Sequence, residues 1–95
     1  MNEVSTHTGS FTVVNAKGMH ARAATKLAKL ASSFPCHIEL SGPDEEAVSA
    51  KSVMGVLLLC GSRGTVIDVK ATGELAKEAV DAIGELIANG FGESE

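Results

Sequence analysis

Tryptophan and tyrosine are missing from this 95-residue chain, and three phenylalanines are its only aromatics. That leaves almost nothing on which to stack bases. Positive charge is scarce too: eight Lys and Arg stand against twelve Asp and Glu, a formal net charge of -4. No basic stripe is visible, so nucleic acid is not an expected partner. Apolar runs are short. The longest compact one, Val56-Leu57-Leu58-Leu59-Cys60, falls far below the roughly 20 residues that span a bilayer, and no membrane insertion is expected. The start, Met1-Asn2-Glu3-Val4-Ser5-Thr6-His7, has neither a basic region nor an apolar stretch and does not read as a secretory signal. The two cysteines, Cys36 and Cys60, lie far apart among apolar residues and match no zinc spacing. Two reduced, partly buried thiols and a cytoplasmic address are therefore expected. His37 beside Cys36 cannot close a coordination shell alone, so no metal site and no cofactor are expected.

What is present is ordinary globular material. Hydrophobic residues make up 44% and charged residues 21%. Such a composition excludes wholesale disorder. The length suits one domain, residues 1–95, with residues 1–9 expected as a loose tail.

Ser10-Phe11-Thr12-Val13-Val14 alternates and reads as a strand. Asn15-Ala16-Lys17-Gly18-Met19 breaks it as a loop. From His20 to Ser33 the period changes: Ala24, Leu27, Ala28, Ala31 and Phe34 recur three and four apart, which predicts an amphipathic helix stopped by Pro35. His37–Leu40 alternates again, Ser41-Gly42-Pro43-Asp44 is turn chemistry, and Glu46–Ser49 completes a hairpin. Residues 51–59 read as a short helix opened by a Ser52 cap. Thr65–Ala71 is the clearest strand, and a last helix carries Leu75, Ala79, Val80, Ile83, Leu86 and Ile87 on one stripe, ending at Asn89-Gly90. The order β-α-β-β-α-β-α predicts an α+β fold: an open-faced two-layer β-sandwich, with a four-stranded, mostly antiparallel sheet covered on one face by three helices. Thr12, Glu39, Asp68 and Lys70 should face solvent on the other.

The segment Gly18-Met19-His20-Ala21-Arg22-Ala23-Ala24 is the informative one. A glycine loop runs into a helix whose mouth carries a His and an Arg. The first N–H groups of a helix lack partners and, with the dipole, favour an anion. An imidazole there offers a nucleophilic nitrogen, and the Arg22 fork suits phosphate oxygens. These ingredients suit a phosphoryl group carried on the ring. A polar residue at an exposed cap would look the same from composition alone. No phosphate-binding loop of the GxxxxGK[ST] type is present, so phosphate must be brought by a partner.

The stretch Gly18–Arg22 with its following helix, together with Ala50-Lys51-Ser52-Val53-Met54-Gly55 and the ending Gly90-Phe91-Gly92-Glu93, resembles the HPr family, the histidine-containing phosphocarriers of the bacterial phosphotransferase system. The resemblance covers residues 9–92. It implies phosphorylation of His20 on Nδ1 by enzyme I, itself charged by phosphoenolpyruvate, and transfer onward to an EIIA domain. It implies that Arg22 contacts the phosphate, and that Ser52 matches the serine which some bacteria phosphorylate through an HPr kinase/phosphorylase. The docking face it implies comprises Val53, Met54 and Leu57, with Lys29 and Ser32 at the rim; Met19 is a further apolar candidate. A monomer without turnover chemistry is expected. The family usually reads His-x-Arg-Pro, and here Ala23 stands in place of the proline. That departure raises a specialised branch, nitrogen-related or purely regulatory, as an alternative pathway. Two other classes compete on residues alone. A small acyl-phosphate hydrolase would need a residue near His20 to position water, and none stands out. A regulatory binding module would use the same face without transfer.

Overall fold

A computed structural model describes residues 5–43, 46–59 and 61–93. Four strands alternate with three helices: β1 (Thr6–Thr12), α1 (Ala21–Ser32), β2 (His37–Ser41), β3 (Val48–Ser49), α2 (Val53–Leu58), β4 (Val66–Thr72) and α3 (Ala76–Ala88). The strands form one sheet in the order β1-β4-β2-β3, with every neighbouring pair antiparallel. This is the α+β open-faced sandwich that the element order predicts.

Strand periodicity decides which face is covered. Along β4, Ile67, Val69 and Ala71 are buried while Asp68 and Lys70 are exposed. Along β2, Ile38 and Leu40 are buried. A period of two sends each set to one side of the pleat. On the open side, Ser10 sits opposite Asp68 and its Oγ donates to Asp68 Oδ1 at 2.6 Å, while Glu39 faces Lys70 across the next pair.

The apolar faces of the helices cover the other side. Ala23, Ala24, Leu27, Ala28 and Ala31 of α1 are buried, as are Ala76, Ala79, Val80, Ile83, Gly84 and Ile87 of α3. Small residues let these helices come close; a Cβ on Gly84 would overlap the Phe11 ring of β1. Val56 brings α2 into the same core. Cys36 is a buried free thiol within it, and Cys60 lies outside the described residues.

Several local expectations need correction. The first strand begins at Thr6, inside the stretch expected to be a loose tail. Its polar residues carry no apolar alternation, and it is held by backbone pairing to β4 from Thr6↔Thr72 to Thr12↔Val66. Val13 and Val14 lie beyond its end. The third strand is only Val48–Ser49. Leu75 is an exposed residue, not part of the α3 stripe: it precedes the helix at φ 65°, so its side chain leaves the helical phase. Phe34, expected to continue the α1 stripe, lies beyond the end of the helix at Ser32, although it is partly buried against the core as that stripe implies.

Candidate functional site

The site begins with the break between β1 and α1. Gly18 has φ +66°, and a Cβ there would sit 2.5 Å from the Gly61 carbonyl oxygen. Only glycine takes this conformation and this approach without strain. The Met19 N–H then donates to Gly61 O at 2.6 Å, which binds the loop to the segment leaving α2.

His20 follows as the N-cap of α1. Its backbone is extended (φ -99°, ψ 179°), its carbonyl accepts the first helical bond from Ala24 N at 2.8 Å, and its side chain makes no capping bond. The ring is thus released from the usual duty of an N-cap and points elsewhere. Its side chain is 27% exposed. Nε2 is hydrogen-bonded to Glu93 Oε2, which leaves Nδ1 unengaged among the described residues. A carboxylate can only accept, so Nε2 carries the hydrogen and Nδ1 of the neutral ring carries the lone pair.

Glu93 comes from 73 residues away, on a turn that closes α3. Gly90, Phe91 and Gly92 all have positive φ (70°, 59° and 73°). Phe91 is not a glycine, and an L-residue in this region costs roughly 1–2 kcal/mol. Its ring is 1% exposed in the core, and burying such a side chain returns about 1.5–3 kcal/mol. The Phe91 carbonyl accepts from Lys26 Nζ at 2.7 Å. Asn89 Oδ1 accepts from Gly92 N at 3.2 Å, and Glu93 N donates to Gly90 O at 3.0 Å. The turn is fastened at each step.

Asn15 joins the two sides. It is buried, and its Nδ2 donates both to Gly18 O and to Glu93 Oε1, each at 2.9 Å. Its Oδ1 is buried without a partner among the described residues. Burial pushes the Glu93 carboxyl upward, but the hydrogen bonds from Asn15 and His20, the charge that His20 carries when its ring is protonated, and the charge of Lys17 together hold it below its ordinary value. The residue is an anion here.

Arg22 is exposed in the first turn of α1, two positions from His20. Ala23 is fully buried in that turn, so the helix forms with alanine where the usual family motif has proline. Ser52 caps α2, its Oγ accepting from Gly55 N at 3.0 Å.

The expected docking residues separate. Val53 and Met54 are exposed, Met54 at 70%, and Lys29 and Ser32 are exposed at the end of α1. Met19 is buried at 6% and belongs to the core, because the Met19–Gly61 bond draws it inward; it offers no docking surface. Leu57 is partly buried against the core. Its neighbour Leu58, 66% exposed, takes the outer position, since a helical step of about 100° turns the next residue away.

Asn15 and Glu93 were not singled out from sequence. Asn15 had a weak signal: an Asn opening a loop three residues before a glycine can hydrogen-bond the backbone of its own turn. Glu93 had no signal in spacing or periodicity.

Known proteins bear on this geometry. The family model described as the PTS HPr component phosphorylation site matches residues 7–89. A phosphocarrier protein HPr of Xylella fastidiosa is 48% identical over 82 residues, covering 86% of this chain and 91% of the relative. One of Pseudomonas putida is 39% identical over 84 residues, covering 88% and 93%. A crystal structure of HPr from Thermoanaerobacter tengcongensis superposes with a TM-score of 0.87 at 35% identity, covering 94% of this chain and 99% of that one. A partly exposed histidine at the mouth of a helix, on this sheet and with these relatives, leads to one assignment: the chain belongs to the HPr family of phosphocarriers of the phosphotransferase system.

Proposed function

We propose that this phosphocarrier holds its phosphoryl group on Nδ1 of His20, receiving it from enzyme I and passing it to an EIIA domain. The observation that carries this reading is the His20 ring, partly exposed at the start of α1 with Nε2 engaged and Nδ1 open. The N–H groups of Ala21, Arg22 and Ala23 precede the first helical bond, and such donors favour an anion. Ala23 keeps an N–H that proline would lack. The Arg22 guanidinium supplies charge that grows in value as the phosphoryl group leaves one nitrogen for another. Helix-end effects of about 0.3–1 kcal/mol orient the group without trapping it, which suits a relay without turnover.

The exposed Val53, Met54 and Leu58, with Lys29 and Ser32 at the rim, form the docking surface in this reading. Met54 adapts to more than one partner because its side chain is flexible and polarisable. Lys29 and Arg22 steer acidic partners despite the net negative charge. Ser52 is a regulatory phosphorylation site for an HPr kinase/phosphorylase: its hydroxyl is exposed at the start of α2, and a phosphate there would add roughly -1.5 to -2 charge beside this surface.

The experiment is incubation with phosphoenolpyruvate and enzyme I, with the product mapped by mass spectrometry. An acid-labile phosphoryl group on His20, absent from His20→Ala, is expected. An unmodified His20 under conditions that label a known HPr would overturn the reading. Arg22→Ala should fold normally and transfer more slowly; an unchanged rate would remove its assigned role.

A further inference from the structure

We infer that Glu93 is a positioning residue for phosphoryl transfer, holding the Nε2–H edge of His20 so that Nδ1 faces the incoming group. The inference rests on the carrier reading above and adds to it a residue and a function for the turn after α3.

The geometry is specific. Glu93 Oε2 meets His20 Nε2, and Glu93 Oε1 accepts from Asn15 Nδ2 at 2.9 Å. Both carboxylate oxygens are therefore assigned. The same Asn15 amide donates to the carbonyl of Gly18, two residues before His20. One buried side chain thus sets the carboxylate and the loop that presents the ring. The turn is tied down by Lys26 to Phe91 and by Asn89 to Gly92, and it packs Phe91 into the core. Glu93 is only 16% exposed, so the contact is sheltered from water, where a carboxylate acts more strongly on a neighbouring charge.

The chemical consequence follows from charge balance. The neutral ring has its hydrogen on Nε2. The Nδ1 lone pair forms the new N–P bond while the donor's bond to phosphorus breaks, and that electron pair leaves with the donor. The Nε2 hydrogen stays in place. The ring becomes an N-phosphorylated imidazolium, and its positive charge lies against the Glu93 carboxylate. On transfer to an acceptor the electron pair returns to Nδ1 and the ring is neutral again. Nδ1 and Nε2 point away from each other, so the carboxylate approaches one nitrogen while the phosphoryl group occupies the other. A hydrogen bond to a charged acceptor is among the stronger ones, and here it strengthens as the ring gains charge.

The test uses the full chain labelled with nitrogen-15, in wild-type, Glu93→Ala and Glu93→Gln forms. Two quantities are read: the Nε2–H resonance of His20, and the rate of His20 phosphorylation from phosphoenolpyruvate and enzyme I. In the wild type the Nε2–H proton should be slow to exchange and visible. Glu93→Ala should lose it and accept phosphate about tenfold more slowly, the loss of one charge-assisted hydrogen bond. Glu93→Gln keeps a neutral acceptor, so it should retain the proton signal and lose less rate. An amide spectrum matching the wild type away from residues 15–20 and 89–93 shows that the fold is kept. Phosphorylation of Glu93→Ala at or above the wild-type rate, or a wild-type Nε2–H that exchanges as freely as in Glu93→Ala, overturns the inference. A wild type that accepts no phosphoryl group would sink the carrier reading instead, while the resonance would still report whether Glu93 holds the ring.

Discussion

Lys26 and Phe91 are joined by a 2.7 Å hydrogen bond from Nζ to the main-chain carbonyl, so α1 grips the turn that returns the chain to the start of the same helix. The side chain of Lys26 is spent on structure, although its place on the helix that presents His20 would suggest a role in binding. Replacing it by methionine keeps the aliphatic stem and removes the donor. Lys26→Met should lower stability by about 1 kcal/mol and raise amide exchange at Gly92 and Glu93 roughly fivefold. Hydrogen exchange followed by NMR measures this, and unchanged exchange would show that the turn holds without the lysine.

Gly18→Ala should be costly. The backbone is at φ +66°, and the added methyl would meet the Gly61 carbonyl at 2.5 Å. A loss of about 2 kcal/mol is expected, seen as a lower urea midpoint. The adjoining Met19–Gly61 bond would shift with it and take His20 out of line, so phosphoryl acceptance should fall as well.

Ser52 separates cap from regulation. Ser52→Ala removes the acceptor for Gly55 N and should cost about 1 kcal/mol, lowering Tm by roughly 4–8 °C. Ser52→Asp keeps a capping oxygen, so its Tm should stay near the wild type. Its added charge should nevertheless slow phosphorylation of His20 by enzyme I. Equal rates for Ser52→Asp and the wild type would remove the switch.

Glu93 makes stability depend on pH in a defined direction. Its carboxyl is held below its ordinary value in the fold, so the native state favours the anion. That contribution is present above the unfolded value of about 4.3 and is lost as pH falls through the lower native value. Chemical denaturation of wild type and Glu93→Gln between pH 7 and pH 3 should therefore give stability curves that converge at the acid end. A constant gap would show that the charge on Glu93 contributes nothing to the fold.

The parts of this molecule that follow from periodic chemistry were legible in the sequence. Ile67, Val69 and Ala71 alternate into the core, the alanine face of α1 is buried, and Ser52 opens α2. His20 was legible because the mouth of a helix is a local feature. What escaped depends on contacts between distant segments or on single backbone angles. Thr6–Gly9 joins the sheet through backbone pairing, which leaves no mark in side-chain type. Met19 looked like surface until its N–H bond to Gly61 drew it inward. Leu58 and Leu57 are chemically identical, and only the rotation of a six-residue helix decides which faces out. Glu93 reaches His20 through three consecutive positive φ angles, and no spacing rule connects residues that far apart.

The helix between the sheet and that turn has a further meaning. α3 runs for 13 residues, and each one adds about 1.5 Å of rise and 100° of rotation. Its length therefore works as a ruler between the sheet and the imidazole. One residue more or fewer would swing the carboxylate to another side of the molecule and turn the helix beyond that point about 100° out of phase with the core. Sequence drift is free to change the exposed positions of this helix, while Gly84 and the buried stripe answer to the core and the residue count answers to the chemistry at the far end.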